Sequence, residues 1–260
     1  MAGSVCTVGF IAVRSEPSEQ SQMVTQILFG ETYEIVHEVD SWVFITLDYD
    51  HYQGWIDSKL VFPISDKELD YLRNSNGWIV PLNQVKVITE PDKISRYLTG
   101  GSRIVFNGQD RNSFVLGNTE YYLTGSITPD KKVPSVQEVA TSFLNSPYLW
   151  GGRSFFGIDC SGLVQVVFKI LGYKIPRDAS QQIELGETIN FVEEAHPGDL
   201  AFFDNQDGDI VHVGICNGKG EIIHASGEVR IDRLDHQGIF NQGKKKYTHK
   251  LRVIKRILKK

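Results

Sequence analysis

The sequence predicts an all-β front half followed by an α+β back half. Three observations carry this. Short β-rich runs fill the chain to about residue 130, a polar proline-flanked stretch follows, and helical patterns then precede a series of strands. The 260 residues are 41% hydrophobic and 23% charged, as in an ordinary packed protein. That composition excludes a disordered chain, a collagen and a small disulfide scaffold.

In the front half, residues 8–13, 34–39, 42–47 and 54–56 read as strands, and 66–73 is a short helical exception. A weak echo recurs at an offset of 70 residues: 28–30 falls on 98–100, Ile35 on Val105, and 44–45 on 114–115. Two small β-barrels of about 60 residues each would produce it. One larger β-domain with aligned turns is the alternative. The polar stretch 128–134 reads as a linker, giving domains at 1–62, 63–130 and 134–260.

In the back half, 136–144 has helical spacing. Residues 160–171 place Cys160, Leu163, Val164, Val167, Phe168 and Leu171 on one face, with Gly172 at the stop. A third helix is expected over 178–186, with Asp178 as its N-cap and Gln181 completing a capping pattern. Strands are expected at 200–203, 212–216, 221–225, 229–234 and 251–258.

With 27 basic and 32 acidic side chains the net charge is −5, which argues against a nucleic-acid binder. The most apolar stretch, 163–171, contains Gln165 and Lys169, whereas a membrane helix needs roughly 20 apolar residues. The first ten residues lack a basic start and an apolar core, so a cytoplasmic chain is expected, or an exported one if a leader was removed. The last twenty residues hold nine Lys or Arg and read as a solvated strand end.

Three cysteines do not make a disulfide framework. Cys160 stands apart because it begins a helix, where unpaired N–H groups and the helix dipole favour the nucleophilic thiolate. A buried cysteine on the apolar face is the alternative, and it suits Cys6 and Cys216 well. His212 and His224 flank a turn at 217–220. A three-residue loop at 217–219 would make paired numbers sum to 436, setting the two histidines directly opposite with Cβ atoms roughly 4.5–5.5 Å apart. Cysteine plus two imidazoles gives nucleophile, base and orienter. Two unrelated histidines, or a metal site of His212, His224 and Cys216, are the alternatives, although no short ligand spacing favours metal. Asp204, Asp207 and Asp209 form an acidic loop that misses the calcium-loop template and reads as a solvated turn.

Six pieces occur in order: YLWGG at 148–152, DCSGL at 159–163, PRDASQQ at 176–182, PGDL at 197–200, HVGI at 212–215 and IHAS at 223–226. Together they resemble the NlpC-type family of papain-like cysteine peptidases. The resemblance implies a papain-like domain of helices packed on an antiparallel sheet. It also implies Cys160 as nucleophile, His212 as base and His224 as orienter, with no metal or cofactor. The front half, through VRSEP at 13–17 and YQGW at 52–55, resembles the bacterial SH3-like domains of γ-D-glutamyl-L-diamino acid endopeptidases. Those enzymes cut murein tripeptides or longer murein peptides with a free N-terminal L-Ala and release L-Ala-γ-D-Glu.

By the same resemblance, Glu16 and Tyr52 bind the L-Ala amine, and Trp150, Asp159, Ser161, Arg177 and Asp178 line the substrate pocket. The chemistry is apt: Glu16 and Asp159 suit an ammonium, and Arg177 can fork onto the D-Glu carboxylate. Asp159 also reads as the helix N-cap, and Arg177 and Asp178 as a local pair. If Glu16 is buried, acetylating the amine should slow cleavage at least about a hundredfold. The rival functions are a cell-wall amidase or transpeptidase on the same scaffold, and a non-catalytic cell-wall binding protein.

Overall fold

The structure is a computed structural model that describes residues 3–81, 84–108, 111–124 and 134–258. Of the expected linker, 128–133 lies outside the described residues. The chain forms two compact units: Met1–Val133 with Trp150–Phe155, and Pro134–Leu149 with Phe156–Lys260.

The first unit is all-β apart from short helical turns. Its leading sheet has the antiparallel order Gly3–Val5, Thr32–Val39, Trp42–Leu47, Gln53–Asp57, Phe10–Arg14, Met23–Leu28. Alternating residues of these strands, such as Ile11, Val13, Val43 and Ile45, fill its core. Met23–Leu28 was not expected from the sequence. Its last four residues are all buried, so the alternation that marks a strand is missing.

A second set, Ser113–Leu116, Thr119–Leu123, Gln84–Glu90 and Ser95–Thr99, forms a four-stranded antiparallel sheet in that order. The echo is structural here: 28 and 98–99 end matching strands, and 44–45 and 114–115 lie within matching strands. Phe29, which follows Met23–Leu28 in the chain, belongs to the core of this second set. Phe29 packs edge-on against Phe114 and Tyr121, with ring centroids 5.9 and 5.4 Å away. The helix Asp66–Asn74, capped by the Ser65 hydroxyl, adds Leu69 and Leu72 to this core.

Trp150–Phe155 is tied into the same unit by Arg153. Its guanidinium is fully buried and forks onto Glu31 at 3.0 and 2.9 Å, while its backbone N–H donates to Gln26 Oε1 at 2.8 Å.

The second unit is α+β. Its sheet runs Glu187–Ile189, Lys246–Arg256, Leu200–Asp204, Ile210–Gly218, Glu221–Ser226, Glu228–Asp235, Gly238–Asn241. Gly238–Asn241 pairs back onto Lys246–Arg256, so six strands close a ring. The helix Cys160–Ile170 is buried at every residue and packs on Ile210–Gly218 and Glu221–Ser226. It ends in a Schellman turn: Gly172 has φ +85°, its N–H donates to Lys169, and Tyr173 N–H donates to Phe168.

Two expectations for this unit are corrected. The third helix covers only Ala179–Gln182, and Asp178 makes no capping hydrogen bond. The N–H groups of Glu184 and Leu185 donate three residues back, which tightens the chain before Gly186 turns at φ +72°. Glu187–Ile189 and Gly238–Asn241 are strands that the sequence did not signal, being only three and four residues long.

Candidate active site

Cys160 is the first residue of its helix. The Asp159 carboxylate caps that helix, accepting the Gly162 N–H at 2.7 Å. Arg177 holds the cap in turn, donating to the two Asp159 oxygens at 3.0 and 2.6 Å and to Ser161 Oγ at 2.8 Å. Gln182 Nε2 donates to the Ser161 and Pro176 carbonyls. The Arg177 fork expected to grip a substrate carboxylate is thus engaged by Asp159. All of these groups are buried or nearly so.

The Cys160 thiol lies within hydrogen-bonding reach of the Val213 backbone, next to His212 in the chain. Burial pushes the thiol up to about 11, and the Asp159 charge adds to this. Backbone hydrogen bonds from Val213 and Ser161 and the Arg177 charge pull the other way and lose. Burial therefore outweighs the helix-start effect, and the thiolate expected from the sequence is not the resting form.

His212 Nε2 and His224 Nδ1 are 2.9 Å apart. The pairing that brings them there differs from the expected one. Lys219 and Gly220, both at positive φ, make a two-residue turn closed by Gly218 and Glu221, and a bulge between Cys216 and Gly218 then shifts the paired numbers to a sum of 438 at Ile215–Ile223 and Cys216–Ile222. His212 and His224 are diagonal neighbours, not opposite ones. A shift of two keeps them on one face, where one residue would have parted them. The same register sets Gly214 opposite His224. A Cβ there would lie 2.9 Å from His224 Cβ, so the missing side chain leaves the ring room to lean toward His212.

Three further residues complete the site, and sequence reasoning missed them. His224 Nε2 lies 3.1 Å from Asp232 Oδ2, and Arg230 holds both Asp232 oxygens at 2.8 and 3.0 Å. His249 stacks on His212, ring centroids 4.2 Å apart and planes within 24°. Burial opposes the Asp232 charge, but hydrogen bonds from His224 and Arg230 outweigh it and hold the carboxyl below its usual range. Burial, then the neighbouring His249 and His224, lowers His212 well below the ordinary imidazole value. Burial and His224 likewise lower His249 to about 4. The signal for Asp232 was available: Gly227 makes a tight turn that pairs His224 with Arg230, and Asp232 is two residues on, on the same face.

Among the described residues, the grouping able to hold a metal is His212, His224 and His249, without the Cys216 of the sequence alternative. Its geometry is that of a hydrogen-bonded array. Two of the ring nitrogens are 2.9 Å apart, a hydrogen-bond separation, and the third ring is stacked on the first.

Glu16, Tyr52 and Trp150 belong to the first unit. Glu16 is exposed, with its carbonyl accepting from Ser18 N–H and Ser21 Oγ, so the buried anion assumed from the sequence is not there. Tyr52 packs half-buried against the first sheet's core, and Trp150 is 58% exposed. Asp178 is half-buried beside Arg177 in the chain.

A helix-borne cysteine backed by a barrel that carries a hydrogen-bonded histidine pair defines a papain-like cysteine peptidase. Residues 145–252 match the NlpC/P60 family model, and residues 13–60 match the bacterial dipeptidyl-peptidase SH3 domain. The chain is 30% identical over 224 residues to the γ-D-glutamyl-L-lysine dipeptidyl-peptidase of Bacillus subtilis, covering 77% of this chain and 71% of that protein. It is 28% identical to dipeptidyl-peptidase 6 of Lysinibacillus sphaericus, covering 86% and 88%. The crystal structure of an NlpC/P60 family protein from Bacillus cereus shares the fold at a TM-score of 0.83 and 21% identity, covering 99% of this chain and 100% of that one. The chain belongs to the NlpC/P60 family and is a cysteine peptidase of the cell-wall type.

Proposed function

We propose that the protein hydrolyses the γ-D-glutamyl–diamino acid bond of short murein peptides with a free N-terminal L-Ala, releasing L-Ala-γ-D-Glu. The observation that carries the chemistry is the buried His212–His224 pair beside the backbone that meets the Cys160 thiol. The substrate follows from relatives named as γ-D-glutamyl-L-lysine dipeptidyl-peptidases.

Cys160 and His212 start as thiol and neutral imidazole. His212 Nε2 is occupied by His224, which leaves Nδ1 to take the thiol proton as sulfur attacks the carbonyl carbon. The Cys160 backbone N–H, at the helix start, faces the developing oxyanion. The imidazolium then protonates the leaving amine, an acyl-thioester remains, and His212 draws a proton from water to release the dipeptide. His224 orients the His212 ring. Asp159, Ser161 and Arg177 hold the turn that presents Cys160, and Glu16 and Tyr52 recognise the free amine.

The test is mass spectrometry of products from L-Ala-γ-D-Glu-L-Lys. The dipeptide and free lysine are expected from the wild type and neither from Cys160→Ala. An intact tripeptide with the wild type overturns the substrate assignment.

A further inference from the structure

Three side chains on three adjacent strands form one buried line: His212 on Ile210–Gly218, His224 on Glu221–Ser226 and Asp232 on Glu228–Asp235. The two contacts are 2.9 and 3.1 Å, and each residue is at most 6% exposed. Beyond Asp232 stands Arg230, with one terminal nitrogen donating to Asp232 Oδ1 at 3.0 Å and its Nε in ion-pair range of Oδ2 at 2.8 Å. We infer that Asp232 is a positioning residue that sets the protonated nitrogen of both histidines, and so keeps a bare lone pair on the His212 nitrogen that serves Cys160.

The argument is a count of donors. An ionised carboxylate only accepts, so the His224 Nε2 facing it carries a hydrogen. A neutral imidazole has one N–H, so His224 Nδ1 is an acceptor. The His212 Nε2 that meets it must then donate, and the one remaining nitrogen, His212 Nδ1, is left as the base. Reverse any member and the next must reverse with it, so the far end of the line decides whether the base has a lone pair. Arg230 keeps Asp232 ionised and turned toward His224. His249 stands outside the line, stacked face to face on His212, with its Nδ1 2.9 Å from Thr248 Oγ1.

This rests on the roles proposed above for Cys160 and His212, and the test separates the two. Long-range ¹H–¹⁵N spectra of the histidine-labelled full chain, without substrate, report tautomers directly. Wild type should show His212 and His224 each as the Nε2–H form. Asp232→Ala should show mixed tautomers at both and lose at least tenfold in kcat, with KM within twofold. Asp232→Asn keeps an acceptor oxygen and should recover the Nε2–H pattern and at least half of the logarithmic loss in kcat.

If Asp232→Ala does not fold, Arg230→Met is the second variant. The groups facing His224 are His212, His249 and Asp232, with Lys244 acting on His249. Removing the Arg230 guanidinium frees the Asp232 carboxylate to turn away from His224, so Arg230→Met should show mixed tautomers at both histidines in the same spectra. Wild-type tautomers in Asp232→Ala, or in Arg230→Met where Asp232→Ala does not fold, overturn the inference. Ordered tautomers with no cleavage of the tripeptide leave it standing and overturn only the substrate reading.

Discussion

Arg177 places two guanidinium nitrogens on the Asp159 carboxylate, at 3.0 and 2.6 Å, inside the turn that starts the Cys160 helix. Both side chains are buried. Removing the cation leaves a buried carboxylate uncompensated, which costs about 3–5 kcal/mol. Arg177→Met should therefore melt roughly 10 °C lower, and Arg177→Lys should recover part of that. If the guanidinium instead serves the substrate, KM would rise while the melting temperature held. Thermal denaturation beside steady-state kinetics decides between the two.

The resting thiol makes a second prediction. With Cys160 near 11, each unit of pH below that should raise its alkylation by iodoacetamide about tenfold, since the thiolate is the reactive form. Cys216 is higher, at about 12, and burial pushes Cys6 higher still, so Cys160 should be labelled first. A lowered His212 stays neutral, and thus able to accept a proton, to a lower pH than an ordinary imidazole. The acid limb of kcat/KM should accordingly fall below pH 6.5. Alkylation independent of pH from 6 to 9 would mean a preformed thiolate–imidazolium pair.

His212 and His224 should respond unequally to substitution. His212→Ala removes the group that moves the proton and should be nearly inactive. His224→Asn keeps a polar acceptor for His212 Nε2 and should retain measurable turnover, although an amide is too short to reach Asp232 as well. Single-turnover kinetics on one tripeptide would show this. Turnover in His212→Asn with none in His224→Asn would reverse the two roles.

The exposed Glu16 changes what acetylation of the substrate should do. No buried charge is stranded when the amine is capped, so the loss is that of one charge-assisted hydrogen bond, about 1.4 kcal/mol or tenfold in kcat/KM. Glu16→Gln should cost the free-amine peptide about as much and the acetylated one nothing further. Equal losses for both peptides would remove Glu16 from amine recognition.

Much of this site was legible because motif order and face parity are properties of the chain itself. Cys160 at a helix start, and two histidines on one strand face, follow from periodicity. The register did not follow, because the turn takes two residues and a bulge between Cys216 and Gly218 absorbs one more, which residue types alone do not signal. Asp232 was passed over although the Gly227 turn pairs His224 with Arg230, because its contact with His224 is diagonal across that strand pair and not a direct opposition. The burial that raises the Cys160 thiol is likewise a tertiary fact, invisible in a helix-start pattern.

Gly214 is where register and chemistry meet, and it yields the sharpest test of the diagonal pairing. An alanine Cβ would lie 2.6 Å from Ile222 Cδ1 and 2.9 Å from His224 Cβ. Overpacking of this kind costs about 1–3 kcal/mol, and it must also tilt His224 away from His212. Gly214→Ala should thus lose stability and at least tenfold in kcat. The two losses have different sources and can be separated. Adding Ile222→Val removes the Cδ1 contact at a cost of only about 0.5–1.5 kcal/mol and leaves the His224 contact, so the double variant should be no less stable than Gly214→Ala alone while its kcat stays low. If kcat returns with stability, the glycine serves core packing only, and His224 does not need that space to reach its partner.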